Sequence, residues 1–239
     1  MTRTAAVHSI PESSAIFRRA LSVLRQLIWR KLHDPLLLAP RIACKCYSLW
    51  VCALYPFYAI GRKPSFHFTC DLRNPELMEI GNDVIVHKDV WLHAYSGEHH
   101  EHGSTVSIGD RCLIGRRSHI SGRNSIVIGA DVIVSAGVLI QDHGHAYTDV
   151  TRTIREQGIV PGGRIRIGQG CWIGQGAAII CPEGELVLGR NCVVAANAVV
   201  TKSASDNSVI SGNPARVVKQ YDPTKGVWVL GSATLTVQQ

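Results

Sequence analysis

From Ile80 to Thr201 the chain repeats itself every six residues, a period that neither an α-helix nor an alternating strand possesses. Aliphatic side chains recur at Ile80, Val86 and Leu92, at Ile108, Ile114 and Ile120, at Ile128, Val134 and Ile140, at Ile167, Ile173 and Ile179, and at Leu188, Val194 and Val200. Many are followed by glycine, as at Gly81, Gly109, Gly115, Gly129, Gly168, Gly174 and Gly189. Four positions after the aliphatic residue stands a small or β-branched one, such as Val84, Cys112, Ser118, Val132, Cys171, Ala177 or Ala198.

A unit with one large inward aliphatic, one small inward residue, and Gly, Asn or Asp at a sharp turn describes one short side of a triangular parallel β-helix. Three sides close a coil of about eighteen residues, and each coil covers its aliphatic residues with those of the next. No unit buries its apolar face alone, so the core is predicted to run along an axis. A β-sandwich would alternate every second residue, with hairpin signals every roughly 8–12 residues, and those are absent.

With 239 residues, 46% of them apolar, the chain is long enough for one sizeable core and flanking segments. The predicted division is an amino-terminal segment over 1–75, a β-helix over 76–220 and a tail over 221–239. In the first segment Ile16, Phe17, Ala20, Leu21, Leu24, Leu27, Ile28 and Leu32 form a helical stripe among Arg18, Arg19, Arg25, Arg30 and Lys31, and Asp34-Pro35 ends it. The apolar run from Ile42 to Ile60 contains Lys45 and Pro56 and is marginal for a bilayer span of about 20 residues. Charges between Phe17 and Lys31 also argue against a cleavable signal peptide. Two readings stand: a peripheral contact with the inner face of the cytoplasmic membrane, or a helix packed on the β-helix or a neighbouring subunit. Both predict a cytoplasmic protein.

The net charge of +7 favours anionic partners, either a phosphorylated nucleotide cofactor or an anionic membrane surface. No helix-turn-helix, zinc finger or ribonucleoprotein motif is present, so nucleic acid is not expected as a partner. Of the eight cysteines, Cys112, Cys171 and Cys192 occupy the small inward position, where the thiol acts as a compact hydrophobe in a reducing compartment.

Two excursions and a slip interrupt the repeat. The first excursion, 93–105, contains Glu98-His99-His100-Glu101-His102, which reads either as metal ligands or as a solvated polar loop; crowding on one loop favours the latter. The second, 146–164, includes Pro161-Gly162-Gly163, and loops of that length inside a compact repeat are usually functional. The register also slips between Ile179 and Leu188, so a bulge is predicted at Cys181 to Glu185.

Three local motifs add chemistry: Asp142-His143-Gly144-His145 at the end of a coil, Cys171-Trp172-Ile173-Gly174, and Val199-Val200-Thr201-Lys202 followed by Ser211-Gly212-Asn213-Pro214-Ala215-Arg216. On these, residues 78–220 resemble the hexapeptide-repeat acyltransferases, most of all the branch of maltose, galactoside and nodulation-factor O-acetyltransferases and the acetyltransferases of surface polysaccharides. The resemblance implies an all-β core folded as a left-handed parallel β-helix. It also implies a homotrimer with clefts between neighbours, and acetyl-CoA as donor to a saccharide hydroxyl bound for a surface polysaccharide or lipid-linked glycan. Neither a metal nor an acyl-enzyme is needed.

A sugar hydroxyl is a poor nucleophile at neutral pH, and a histidine within reach can remove its proton as the new bond forms. The resemblance implies His143 as that base, His145 as the second candidate or a substrate contact, and Asp142 as the group that orients His143 or binds the acceptor. It lays Trp172 along the pantetheine arm, with Gln175 where a small Ser is common, Ala196 meeting the cofactor through its backbone, Thr201 and Lys202 at the nucleotide, and Arg216 and Lys219 near its phosphates. Arg117 matches an acceptor-lining position that is often Asn, which points to an acidic or phosphorylated sugar. The alternatives are N-acetylation of an amino sugar, a zinc β-helix, whose fixed triad of histidines is not found, and a non-catalytic scaffold.

Overall fold

The computed structural model describes residues 21–22, 25–26, 38–96 and 103–231. The helix predicted over 14–33 lies largely outside the described residues, as does Glu98 to His102, so a peripheral membrane contact of that segment stays an expectation. The chain divides into two compact units, Met1–Ala43 and Cys44–Gln239, and the second contains every strand among the described residues. The run predicted as merely apolar from Ile42 folds as helix α1 (Leu38–Leu54). Ser48 fastens it: its hydroxyl accepts the Phe66 N–H at 2.8 Å, while Val51 is fully buried nearby and Leu49, Trp50 and Leu54 remain exposed. Among the described residues no helix is long and apolar enough to cross a membrane.

The strands wind into three sheets. The first holds β1 (Ala59–Ile60), β4 (Met78–Ile80), β7 (Val106–Ile108), β10 (Ser125–Ile128), β13 (Arg164–Ile167) and β16 (Glu185–Leu188). The second holds β2 (Ser65–Phe66), β5 (Ile85–Val86), β8 (Leu113–Ile114), β11 (Ile133–Val134), β14 (Trp172–Ile173), β17 (Val193–Val194) and β19 (Ser208–Gly212). The third holds β3 (Asp71–Arg73), β6 (Trp91–Ala94), β9 (His119–Gly122), β12 (Leu139–Gln141), β15 (Ala178–Ile180) and β18 (Val199–Val200). Through β18, every hydrogen-bonded neighbour is parallel and lies one full coil away, the geometry of a parallel β-helix.

The register stacks like on like: Ile108 beside Ile128, Val134 beside Ile173, Ile140 beside Ile179, all buried. Each such side chain contributes about 1.5–3 kcal/mol through burial. Corner glycines are required where coils touch: a Cβ on Gly115 would sit 2.5 Å from the Ser135 carbonyl carbon. Other corners use residues in the left-handed region, Asp and Asn as expected, but also Arg117 at φ 58.

The stack begins at Ala59, inside the stretch assigned above to the amino-terminal segment, because Ile60, Phe66 and Leu72 continue the six-residue spacing one coil earlier. At the other end β19 turns back into β20 (Ala215–Asp222) and β21 (Val227–Leu230), an antiparallel extension that takes up the first part of the predicted tail.

All departures from the repeat fall at one corner, where the third sheet passes to the first. The excursion over 93–105, the one predicted over 146–164, which in the structure leaves the coil already at His143 and ends at Gly163, the two extra residues in the stretch from Ser121 to Ser125, and the slip at Cys181 to Glu185 all lie between a third-sheet strand and the next first-sheet strand. The other two corners keep the six-residue step from Ile80 to Val200.

Candidate functional site

That irregular corner holds Asp142 and His143. Asp142 is fully buried just after β12, and its carboxylate accepts the backbone N–H groups of Arg123 at 2.8 Å, Asn124 at 2.9 Å and Ser125 at 2.9 Å. The extra residues of the preceding coil supply those donors. The carboxylate also faces His143 Nδ1 at 2.9 Å. Because a carboxylate can only accept, Nδ1–H is the donor in this contact and keeps its proton, which leaves Nε2 as the imidazole's lone-pair nitrogen.

His143 is 8% exposed, its carbonyl accepts the Gln141 amide at 2.8 Å, and the Tyr95 ring meets its ring edge-on at 5.6 Å. Tyr95 comes from the first excursion and His143 from the start of the second, so two loops inserted far apart in sequence meet here. His145 is exposed, and its backbone pairs antiparallel with Ile159 across the second excursion.

That excursion is a closed hairpin: Ala146 N–H bonds the Gly158 carbonyl, Val160 N–H the Gly144 carbonyl. It contains the single-turn helix α2 (Ile154–Gln157), capped reciprocally by Thr153 and Glu156. Its return is fixed by Gly163, whose N–H donates to the Asp142 carbonyl at 2.7 Å and to the Cys181 carbonyl at 3.2 Å. The bulge over 181–185, which had no account from sequence, receives this return: Arg164 N–H bonds the Gly184 carbonyl.

The remaining predicted residues divide between two corners. Thr201 and Lys202 are exposed on the Asp142 corner, two coils further along. Trp172 is half exposed on the second sheet, its indole N–H bonded to Ser135 Oγ at 3.0 Å. Gln175 and Ala196 follow it, exposed, at the corner between the second and third sheets, where the Gln175 carbonyl accepts Asn197 N–H at 2.9 Å. Arg216 and Lys219 lie exposed on β20. Arg117 sits at the corner of Gln175 and Ala196, at the opposite end of β9 from the Asp142 edge, so one chain does not bring it to His143. The residues that do meet Asp142 from the preceding coil are Arg123, Asn124 and Ser125.

Sequence reasoning missed Trp91, His93, Tyr95 and His119. Trp91 and His119 each stand one residue before the inward Leu92 and Ile120, an outward position on the third sheet, and that register was the available signal. Burial pushes the His119 imidazole below its ordinary 6.5, with His93 and His143 acting in the same direction. Burial would raise Asp71, but Arg73 and His93 beside it hold its carboxyl below the usual range. No cluster of described residues has the composition of a metal site.

The sequence matches the family described as hexapeptide repeat of succinyl-transferase over residues 105–141 and 164–202. It is 26% identical over 167 residues to WbbJ of Escherichia coli K12, provisionally named an O-acetyl transferase of lipopolysaccharide biosynthesis, covering 67% of this chain and 81% of that one. It is 31% identical over 160 residues to the acetyltransferase-named Rv3034c of Mycobacterium tuberculosis, covering 67% and 49%. Against galactoside O-acetyltransferase of Escherichia coli it is 28% identical over 121 residues, covering 51% and 57%. The chain thus spans most of WbbJ and about half of the other two. The fold superimposes on that of AntD, an N-acyltransferase from Bacillus cereus solved with dTDP and 3-hydroxybutyryl-CoA, with a TM-score of 0.61 at 18% identity over 75% of this chain and 91% of that one.

Proposed function

We propose that the chain is an acyltransferase of the hexapeptide-repeat family and that it moves an acetyl group from acetyl-CoA to a saccharide hydroxyl, a reading supported by the repeat match and by the similarity to WbbJ and galactoside O-acetyltransferase. The observation that carries the reading is the imidazole of His143, held through Nδ1 by a buried carboxylate that three backbone N–H groups lock in place. Such a ring is preorganised to accept a proton at Nε2.

The acceptor hydroxyl loses its proton to that nitrogen as its oxygen bonds to the thioester carbonyl carbon. The tetrahedral oxyanion is stabilised by backbone N–H donors of the coil edge. Collapse breaks the carbon–sulfur bond, and the imidazolium returns its proton to the departing thiolate, leaving an ester and free thiol. Trp172, Gln175 and Ala196 supply the cofactor wall, and Thr201, Lys202, Arg216 and Lys219 the polar and cationic contacts for its nucleotide end.

Because one prism carries the histidine edge and the Trp172 face on different corners, the complete cleft belongs to two chains. The proposed assembly is a homotrimer, with Arg117 reaching the acceptor from the neighbouring subunit. The test is thiol release from acetyl-CoA with a panel of saccharides, with ester and amide products separated by alkaline lability. His143→Ala is expected to lower kcat at least about 100-fold with acetyl-CoA binding intact, and His145→Ala to do less. The reverse order would move the base to His145, and amide products would make the reaction N-acetylation.

A further inference from the structure

The outward surface of the third sheet carries a run of rings that the proton transfer does not use. Trp91 of β6 is in register with His119 of β9, their ring centroids 5.1 Å apart. Trp91 also stacks on His93 at 5.3 Å and 15°. His93 meets Tyr95 edge-on at 6.4 Å, and Tyr95 meets His143 at 5.6 Å. The run therefore starts at an open indole and ends against the candidate base.

Exposure differs sharply along it. Trp91 is 49% exposed, whereas His93 behind it is 5% exposed. The buried ring fixes the plane of the open one. His93 Nε2 lies 3.3 Å from Asp71 Oδ2, so the buried ring has the indole on its face and a carboxylate at its edge. At the rim, Asp71 pairs in register with Trp91 and is bridged by Arg73 at 3.3 Å.

Resting on the acetyltransferase reading above, we infer that Trp91, with His119 beside it, is the platform on which the acceptor's pyranose ring lies, and that Tyr95 lines the path from it to His143. A pyranose presents C–H groups on its face and hydroxyls around its edge. An indole offers a flat apolar surface to that face, while imidazole, phenol and the Asp71–Arg73 pair offer hydrogen bonds to the edge. Because Trp91 is already stacked, binding costs it little rotamer entropy. The platform gives specificity for a sugar ring over a small alcohol.

The experiment compares wild type, Trp91→Ala and Trp91→Phe on p-nitrophenyl glycosides of galactose, glucose and N-acetylglucosamine. Thiol release from acetyl-CoA measures turnover, saturation-transfer NMR measures glycoside binding, and light scattering measures mass. Trp91→Ala is expected to raise the glycoside KM or dissociation constant about tenfold while the acetyl-CoA KM stays within about twofold, and Trp91→Phe to recover most of the loss. An unchanged glycoside affinity in Trp91→Ala overturns the inference. So does a changed mass, which would place Trp91 in a subunit contact, or a wild type that binds acetyl-CoA but none of the glycosides. A wild type that neither binds nor cleaves acetyl-CoA overturns the acetyl-CoA reading instead.

Discussion

Asp142 combines total burial with four donors, three of them backbone N–H groups from consecutive residues of the preceding coil. An amide in its place would turn an NH2 group toward donors, either the backbone N–H groups or the imidazole. Asp142→Asn is therefore expected to cost about 1–3 kcal/mol of stability, read by denaturant unfolding. Because the imidazole loses the acceptor that keeps its proton on Nδ1, the substitution also lowers kcat at least about 100-fold at unchanged acetyl-CoA KM. A variant with lowered stability and full kcat would leave Asp142 a structural residue. The motif of Asp142 and His143 was legible in sequence, because a coil that ends in Asp-His before a long insertion is conspicuous. The donors were not: Arg123, Asn124 and Ser125 act through backbone N–H groups, which carry no side-chain signature.

At the scale of the element, the second excursion is anchored at a point of close approach. A Cβ on Gly163 would lie 2.5 Å from the Cys181 carbonyl oxygen and 2.8 Å from its sulfur, and the carbonyl cannot withdraw without moving the bulge. Gly163→Ala should push the loop's return off the coil at a cost of roughly 1–3 kcal/mol. Hydrogen exchange over 146–163 should accelerate while amides of β12 and β15 keep their protection. Equal exchange throughout would mean that the loop is held elsewhere. The slip at Cys181 to Glu185 was visible in the repeat but unexplained, since its partner lies in the preceding coil.

At the scale of the whole molecule, a prism with its base on one corner and Trp172 on another face predicts sites shared between chains. His143→Ala and Trp172→Ala, each impaired alone, should complement when unfolded together and reassembled. Random mixing in a trimer whose sites each draw His143 from one subunit and Trp172 from the next restores about a quarter of the sites. Activity no higher than the average of the two parents would place both residues of each site on one subunit.

The six-residue period by itself determined the coil, the inward residues and the axis of the core, because a stack of short sides repeats one local arrangement and each side's pattern is written in its own six residues. It also supplied the Asp142–His143 motif. Only the tertiary structure decided that the excursions over 93–105 and 143–163, the extra residues before Ser125 and the bulge at Cys181 lie on a single corner. Likewise, the row from Trp91 to His143 became visible only there. The reason is geometric: neighbours across coils are separated by 20 residues in one coil, as Ile120 and Ile140, and by 39 in the next, as Ile140 and Ile179, so insertions erase the fixed spacing by which sequence could have paired them.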